Sequence, residues 1–254
     1  MRHCKRLCLS FIAIIGLTFL IAEAGASADT INTGAHTMQT SPSKSLPAGV
    51  LFRNGPLSKK EVALTFDDGP DLQFTPQILD ILKKEGVKAT FFLVGKSSKK
   101  YPAIVKRIAE EGHVIGNHSW DHRLLTRLTP EEIRHEIVQT EQTLSKIVGY
   151  HTLLFRPPYG AASTDNVLQI ASMDYKVIDW SVDTLDWKSK NAAEIIEIVN
   201  RTIQPGGIIL EHSAGPKALK HTVESLPELI RMLKAKGYSL VTIPQLLEIP
   251  AFKN

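Results

Sequence analysis

Cysteine is almost absent from this chain of 254 residues, and both cysteines, Cys4 and Cys8, lie close to the N-terminus. No small-residue lipobox precedes either one, so neither is predicted to carry a lipid. If the N-terminal segment is removed, the remaining chain has no disulfide and no cysteine metal ligand. Its stability must then come from a packed core, for which about 200 residues are ample in one domain.

Charge of one sign is also scarce, because 30 Lys and Arg residues stand against 26 Asp and Glu residues, a formal net charge of +4. Residues 1–28 carry three of the basic residues and one of the acidic ones, which leaves +2 for the rest. That excess is too weak to predict nucleic-acid binding. It is compatible with an anionic cell wall but does not predict one.

Long apolar runs are limited to one, Leu7–Ala22, whose 16 residues fall short of the roughly 20 needed to span a bilayer. Three basic residues precede this run, and Ala26-Ser27-Ala28 offers a cleavage site before Asp29. We therefore predict a signal peptide over residues 1–28 and a protein that is secreted or associated with the cell wall. The alternative is an uncleaved anchor, which would be the only attachment to the membrane.

The rest of the chain divides into a linker and a domain. Residues 29–58 are rich in Ser, Thr, Gly and Pro and predict a flexible arm. Over residues 59–254, strands such as Val62–Phe66 and Ala89–Val94 alternate with helices such as Thr75–Glu85 and Pro130–Val148 about seven times. This alternation predicts parallel βαβ units. We expect an α/β fold, a distorted or incomplete (β/α) barrel with about seven parallel strands; an open doubly wound sheet is the alternative.

Six polar residues share a position in this predicted fold, at or just past the carboxyl ends of strands: Asp67, Asp68, His118, Arg156, Asp183 and His212. Ligands bind at that edge in parallel α/β folds. One Asp and two His suffice as ligands of a catalytic divalent metal that keeps a position open for water. The remaining carboxylate and histidine are the base and acid that hydrolysis needs.

Two of the motifs favour metal binding by their spacing. Asp67 and Asp68 end a strand, where adjacent side chains point to opposite sides, so one can bind metal while the other faces substrate. A turn or a helix cap would also explain them. His118 and His122 are four residues apart, which on a helical turn places both rings on one face. Solvated surface histidines are the alternative there.

Two further motifs supply candidate groups around such a centre. In Arg156–Gly160 two prolines stiffen the backbone, so the Tyr159 N–H can be held toward an oxyanion, while Arg156 can fix a carboxylate and lower its pKa. A rigid surface loop is the alternative. Asp183 could orient Arg156 or His212, or be a turn residue. Trp187 could stack on a sugar ring or belong to the core.

The last motif is a buried strand that ends in a histidine. His212 follows the apolar run Ile208–Leu210. A lone histidine there is usually a hydrogen-bonded core residue, but beside an Asp-His-His set it becomes a candidate general acid.

Five motifs in this order resemble the polysaccharide deacetylases of carbohydrate esterase family 4, the NodB-like domain. They are T-F-D-D-G-P at 65–70, H-S-x-x-H at 118–122, R-P-P-Y at 156–159, D-x-x-D-W at 183–187 and I-x-L-x-H at 208–212. The similarity runs from about Lys60 to Leu247 and implies a distorted (β/α) barrel, in agreement with the strand count.

The resemblance also implies a role for each matching residue. Asp68, His118 and His122 would bind the metal, most often zinc, although Co²⁺, Ni²⁺ or Mn²⁺ can also serve. Asp67 would be the general base and His212 the general acid. The remaining roles are oxyanion stabilisation by the Tyr159 N–H, positioning of the base and acid by Arg156 and Asp183, and a wall for the acetyl methyl group from Trp187 and Leu210.

The implied activity is removal of N-acetyl groups from N-acetylglucosamine units of a β-1,4-linked polymer, peptidoglycan or chitin oligomers, with release of acetate. Related enzymes remove O-acetyl groups from xylan. Two other classes remain open: a non-haem iron oxygenase with a facial triad, and a sugar-binding module with a vestigial metal site. The oxygenase has no use for a second carboxylate and a distal histidine. We expect a monomer whose partner is a polysaccharide.

Overall fold

The computed structural model of the protein describes residues 45–253. The predicted signal peptide and most of the predicted arm lie outside the described residues. No helix within residues 45–253 is both long and apolar enough to cross a membrane.

The fold alternates strands and helices along the chain. The strands are β1 (Leu51–Phe52), β2 (Glu61–Asp67), β3 (Thr90–Leu93), β4 (Val114–Asn117), β5 (His151–Thr152), β6 (Leu154–Phe155), β7 (Lys176–Ile178), β8 (Val182–Asp183), β9 (Ile208–His212), β10 (Ser239–Leu240) and β11 (Phe252–Lys253). The helices are α1 (Phe74–Glu85), α2 (Gly95–Lys100), α3 (Pro102–Glu110), α4 (Pro130–Val148), α5 (Thr164–Ala171), α6 (Ala192–Thr202), α7 (Lys220–Ala235) and α8 (Ile243–Leu247).

Nine of these strands form one parallel sheet in the order β1-β7-β6-β4-β3-β2-β9-β8, with β10 paired to the start of β2. Within residues 45–253, no strand pairing joins β8 to β1, so the barrel does not close. The predicted distorted, incomplete (β/α) barrel is confirmed. Strands β5 and β11 form a separate antiparallel pair.

The alternation of side chains along each strand divides the core into two parts. On β2, Val62, Leu64 and Phe66 pack in a cluster with the helices, whereas Ala63 packs in a second cluster with residues of the other strands such as Phe92. Because successive side chains point to opposite faces, Asp67 shares the inner face with Ala63. This periodicity places the candidate base inside the barrel, at the carboxyl end of β2.

Helix boundaries follow local capping signals. Helix α4 begins after Thr129, whose hydroxyl accepts the Glu132 N–H while the Glu132 carboxylate accepts the Thr129 N–H. It ends at Gly149 with a φ of 83°, a conformation that glycine adopts without strain. The predicted range of this helix, Pro130–Val148, agrees with the structure.

Several short elements differ from the sequence expectation. Strand β1 lies in the predicted arm, yet Leu51 and Phe52 pair with Val177 and Ile178 of β7. This part of the arm therefore belongs to the folded unit. Helix α2 and strand β8 were not predicted, because α2 has the sequence G-K-S-S-K-K and β8 has two residues, too few for a hydrophobic period.

Candidate active site

A cavity of about 370 Å³ opens at the carboxyl ends of the strands. Its walls are formed by Asp67, Asp68, His118, His122, Tyr159, Trp180, Asp183, Trp187, Leu210, His212 and Pro216. Every residue predicted for the site from the sequence lines this cavity except Arg156, which is fully buried and contacts Asp67. The five motifs are therefore brought to one place.

Asp68, His118 and His122 form the group in which a metal can be held. One ligand atom from each lies within 4.8 Å of the others, and Asp68 Oδ1 is 3.1 Å from His122 Nε2 and 3.4 Å from His118 Nε2. Asp68 Oδ1 is buried and has no hydrogen-bond partner in the described part of the chain. A carboxylate with an unsatisfied oxygen and two imidazoles is a donor set that suits a divalent transition metal.

The protonation of this group also favours metal binding. The Nδ1 atom of His118 is 2.7 Å from the carbonyl oxygen of Arg156, which leaves Nε2 facing Asp68. Burial lowers the pKa of His122, and the charge of His118 lowers it further. Burial raises the pKa of Asp68, but His118, followed by His122 and His212, outweighs burial and lowers that pKa. A neutral imidazole and an ionised carboxylate are the forms that bind metal.

The two histidines converge through an irregular loop. Residues 118–122 have no helical turn, and both Ser119 (φ 65°) and His122 (φ 64°) adopt left-handed conformations. The His122 N–H donates to Ser119 Oγ, and the Ser119 N–H donates to Asn117 Oδ1. The helical turn on which the spacing argument depends is therefore not found in residues 118–122, although the ring centroids do lie 4.9 Å apart. The i, i+4 spacing fits both geometries, so it does not distinguish them.

Asp67 lies between this group and a buried arginine. Its Oδ1 accepts a hydrogen bond of 2.7 Å from Arg156 Nη1, and its Oδ2 is 3.7 Å from His118 Nε2. Asp68, the next residue, has a φ of 70°, so the two carboxylates leave the chain in different directions. The two aspartates therefore have different surroundings. Asp68 lies beside the histidines, whereas Asp67 is held by Arg156, and this difference is the geometric basis for assigning them different roles.

Arg156 is completely buried, and its charge is compensated on every side. Its other donors reach Thr65 Oγ1 at 2.8 Å and the carbonyl oxygens of Ile178 and Asp179 at 3.2 and 3.1 Å. The guanidinium carbon lies 4.1 Å from the centroid of the Phe92 ring. A buried arginine with this many partners fixes the orientation of the Asp67 carboxylate.

His212 is held by Asp186. Its Nδ1 lies 2.7 Å from Asp186 Oδ1, and its backbone N–H donates to Asp186 Oδ2 at 2.8 Å. Asp186 is buried and also accepts from Thr222 Oγ1 and the Trp187 N–H. Burial alone would lower the pKa of His212, but Asp186, with smaller contributions from Asp67 and Asp68, raises it to about 9. At neutral pH the imidazole therefore carries a proton on both nitrogens.

The expected contact of Asp183 with Arg156 or His212 is not found. Asp183 Oδ1 accepts from the Leu185 N–H, and the side chain lines the cavity. Leu185 has a φ of 56° and leads into a 3₁₀ turn over Asp186–Lys188, which places Asp186 rather than Asp183 against His212. The sequence did contain a signal for Asp186, since it is the second aspartate of the D-x-x-D-W motif.

Aromatic and apolar residues complete the cavity. Tyr159 is 65% exposed, has a φ of 61°, and its ring meets His122 edge-on at 4.5 Å. Its N–H has no acceptor within residues 45–253. Trp187 is 47% exposed and Leu210 is buried on the inner face of β9. Trp180 and Pro216 were missed by sequence reasoning, because an isolated Trp or Pro has no spacing that indicates a site.

Comparison with known proteins assigns the family. The family model for polysaccharide deacetylase matches residues 54–178. A Bacillus cereus protein named peptidoglycan-N-acetylglucosamine deacetylase is 46% identical over 195 residues, 77% of this chain and 71% of that protein. The chain also matches Bacillus subtilis PdaC, named a peptidoglycan-N-acetylmuramic acid deacetylase, with 41% identity over 76% of this chain but only 40% of PdaC.

A solved structure agrees with these relatives. The crystal structure of the Bc1960 peptidoglycan N-acetylglucosamine deacetylase superposes with a TM-score of 0.78 and 44% identity, covering 80% of this chain and 94% of that one. This chain therefore belongs to the polysaccharide deacetylases of carbohydrate esterase family 4, and the resemblance stated from the motifs is confirmed.

Proposed function

We propose that this enzyme is a metal-dependent deacetylase that hydrolyses the N-acetyl group of N-acetylglucosamine units in peptidoglycan. The observation that carries the proposal is the grouping of Asp68, His118 and His122 in one cavity whose walls also include Asp67 and His212. The names of the Bacillus cereus protein and of Bc1960 support the choice of polymer and sugar. The name of PdaC makes N-acetylmuramic acid the nearest competing substrate.

Asp68, His118 and His122 would hold the metal, for which zinc is our first choice and Co²⁺, Ni²⁺ or Mn²⁺ are substitutes. When bound, the metal supplies a Lewis acid for the amide carbonyl and lowers the pKa of water. The unsatisfied Asp68 Oδ1 and the hydrogen bond that orients His118 support this ligand set.

The side chains around the ligands divide the proton transfers between them. Asp67, fixed by Arg156, accepts the proton of the attacking water. The free N–H of Tyr159 donates to the oxyanion that forms when hydroxide adds to the carbonyl carbon. His212, held by Asp186, gives its Nε2 proton to the leaving nitrogen as the C–N bond breaks. The products are acetate and a glucosamine unit, and the proton on Asp67 returns His212 to its starting state.

Trp187 and Leu210 would form the wall of the acetyl pocket, and the exposed rings of Tyr159 and Trp187 would contact sugar. We further propose that the enzyme acts as a monomer outside the cytoplasm, on the wall. The formal net charge of +2 over residues 29–254 would not repel an anionic polymer.

Acetate release from purified peptidoglycan tests this function, with N-acetylglucosamine oligomers and acetylated xylan assayed in parallel. We expect release from peptidoglycan that stops on chelation and returns with zinc, and mass spectrometry of the digested product should locate free amines on glucosamine. His122→Ala should abolish release, whereas His135→Ala, an exposed histidine of α4, should leave it unchanged. Release from xylan alone, free amines on muramic acid alone, or sugar binding without acetate would contradict the proposal.

A further inference from the structure

Glu136 on α4 contacts the segment that carries both histidines of the metal group. Its side chain is buried, with 3% of the residue exposed, and its Oε2 accepts hydrogen bonds from the Trp120 N–H at 2.9 Å and the Asp121 N–H at 3.2 Å. We propose that Glu136 is a positioning residue for metal binding, holding the loop of residues 118–122, here called the metal loop, in the shape that brings His118 and His122 together. The inference rests on the metal site of the proposed function.

The metal loop needs such support because it has no regular structure of its own. It contains neither helix nor strand and includes two left-handed residues, Ser119 and His122. Non-glycine residues adopt that conformation uncommonly, and surrounding contacts help to hold them in it. The N–H groups of Trp120 and Asp121 lie in the middle of the loop, and a single carboxylate oxygen satisfies both of them.

The opposite edge of the metal loop is held by α2. The Gly95 N–H donates to the Ser119 carbonyl and the Lys96 N–H donates to the Trp120 carbonyl, both at 2.9 Å. Trp120 is therefore bound through its N–H by Glu136 and through its C=O by Lys96. The loop is fixed between α2 and α4. Helix α2 contributes backbone N–H groups, whereas α4 contributes the side chain of Glu136, which a mutation can remove.

Packing leaves little room for the metal loop to move in this position. A Cβ at Gly95 would lie 2.6 Å from Trp120 Cε3 and 2.4 Å from Thr140 Oγ1 of α4. Helix α2 thus touches both the loop and α4 at the point where Glu136 acts. Without the Glu136 bonds, two partly buried N–H groups lose their acceptor, and a change in the shape of the loop is one way to find new partners. Such a change alters the separation of the two imidazoles.

The expected consequence is weaker metal binding rather than a missing ligand. Groups that orient metal ligands from outside the ligand set typically contribute a factor of about 10 to 100 in affinity. We expect Glu136→Leu to raise the Kd for Zn²⁺ about tenfold. Glu136→Gln keeps an acceptor oxygen of the same reach and should give a smaller loss.

Glu141 provides a matched control on the same helix. It is half-buried rather than buried, and like Glu136 it accepts a backbone N–H, from Thr152 at 3.1 Å; it also accepts a hydroxyl, from Tyr175 at 2.9 Å, and it makes no hydrogen bond to the metal loop. Glu141→Leu should therefore lower the free energy of unfolding of the metal-free protein as Glu136→Leu does, while leaving the Kd for Zn²⁺ unchanged.

The experiment is a competition titration of the full chain with Zn²⁺ and a chromophoric chelator, with urea unfolding of each metal-free variant alongside. A Kd raised in Glu136→Leu but not in Glu141→Leu supports the inference. An unchanged Kd in Glu136→Leu, or equal increases in both variants, overturns it. If Glu136→Leu does not fold, Glu136→Gln carries the test, and an unchanged Kd there has the same meaning. Failure of the unmodified protein to bind Zn²⁺ would instead overturn the proposed metal site, and this inference with it.

Discussion

The two faces of the sheet differ in whether their buried ionisable side chains have partners. On the inner face, Asp67 is paired with Arg156, and His212 is paired with Asp186. On the helix-facing side, Glu211 is fully buried, and neither of its carboxylate oxygens has a partner within residues 45–253. Glu211 and His212 are adjacent in β9, so neighbouring residues of one strand differ in whether their side chains have a hydrogen-bond partner.

The pKa values show what the difference means. Burial, with the charge of Asp186, raises the pKa of Glu211 well above its usual value, which favours the neutral form of this side chain. Burial likewise lowers the pKa of His113, also on the helix-facing side, to about 4. His212 is buried too, yet Asp186 raises its pKa to about 9. Among these buried groups, a hydrogen-bonded carboxylate raises the pKa of the histidine that it contacts, whereas burial dominates and favours the neutral form where no oppositely charged group is hydrogen-bonded.

The largest effect should come from removing the inner-face base. Asp67→Asn removes the proposed proton acceptor, and we expect kcat to fall about 10³-fold, within the usual range for general-base catalysis. Zinc content should not change, since Asp67 is outside the ligand group. The measurement is acetate release at saturating Zn²⁺, with bound zinc determined on the same sample. Asp68→Asn is the matched control and should lose the metal. Loss of zinc from Asp67→Asn would contradict the division of roles between the two aspartates.

The next effect should come from removing the partner of His212. Asp186→Asn cannot hold the protonated imidazole, so we expect kcat to fall about 100-fold and the pKa of His212 to drop from about 9. A general acid works while protonated, so activity is present below this pKa and is lost as pH rises through it. The alkaline limb of the pH–kcat profile should therefore move to lower pH. Asp183→Asn, in the same segment, should not move the alkaline limb. If Asp183→Asn moved it and Asp186→Asn did not, Asp183 would be the partner of His212.

On the helix-facing side, removal of the unpartnered acid should stabilise the protein. Glu211→Leu eliminates a buried polar group without partners, and we expect the free energy of unfolding to increase by about 2 kcal/mol. An acid whose pKa is raised in the folded state contributes stability at pH below its ordinary pKa of 4.5 and loses it as pH rises. The gain measured by urea unfolding should therefore be larger at pH 8 than at pH 5. A destabilised Glu211→Leu would indicate that Glu211 has a partner.

The smallest effect concerns His113, whose Nδ1 accepts the Ala89 N–H and whose Nε2 has no hydrogen-bond partner within residues 45–253, with Glu111 Oε2 3.9 Å away. Its pKa of about 4 in the folded state lies below the ordinary 6.5, so the unfolded chain binds the proton first. Stability is complete above pH 6.5 and falls as pH drops toward 4, by about 1 kcal/mol between pH 6.5 and 5.5. His113→Gln should remove that part of the slope in urea unfolding, whereas exposed His135→Gln should not. Equal slopes in all three proteins would exclude this role.

Much of the site was predictable because its signals are local. Apolar runs indicated the long strands, and each motif residue was placed at a strand end by its position after such a run. Helix α4 was predicted with its observed bounds because Pro130 at its start and Gly149 after its end act within one turn. The parallel fold then required Asp67, His118 and His212 to meet at one edge.

What the sequence by itself determined is therefore the family, the order of the longer strands and helices and the set of residues at the carboxyl edge, since these follow from short-range patterns. Tertiary structure alone decided that Asp186 rather than Asp183 holds His212, that Glu136 supports the metal loop, and that β1 joins the sheet through β7. The hydrogen bond of Arg156 to Asp67 spans 89 residues. Contacts at such separations depend on how whole elements pack, and no local pattern encodes them.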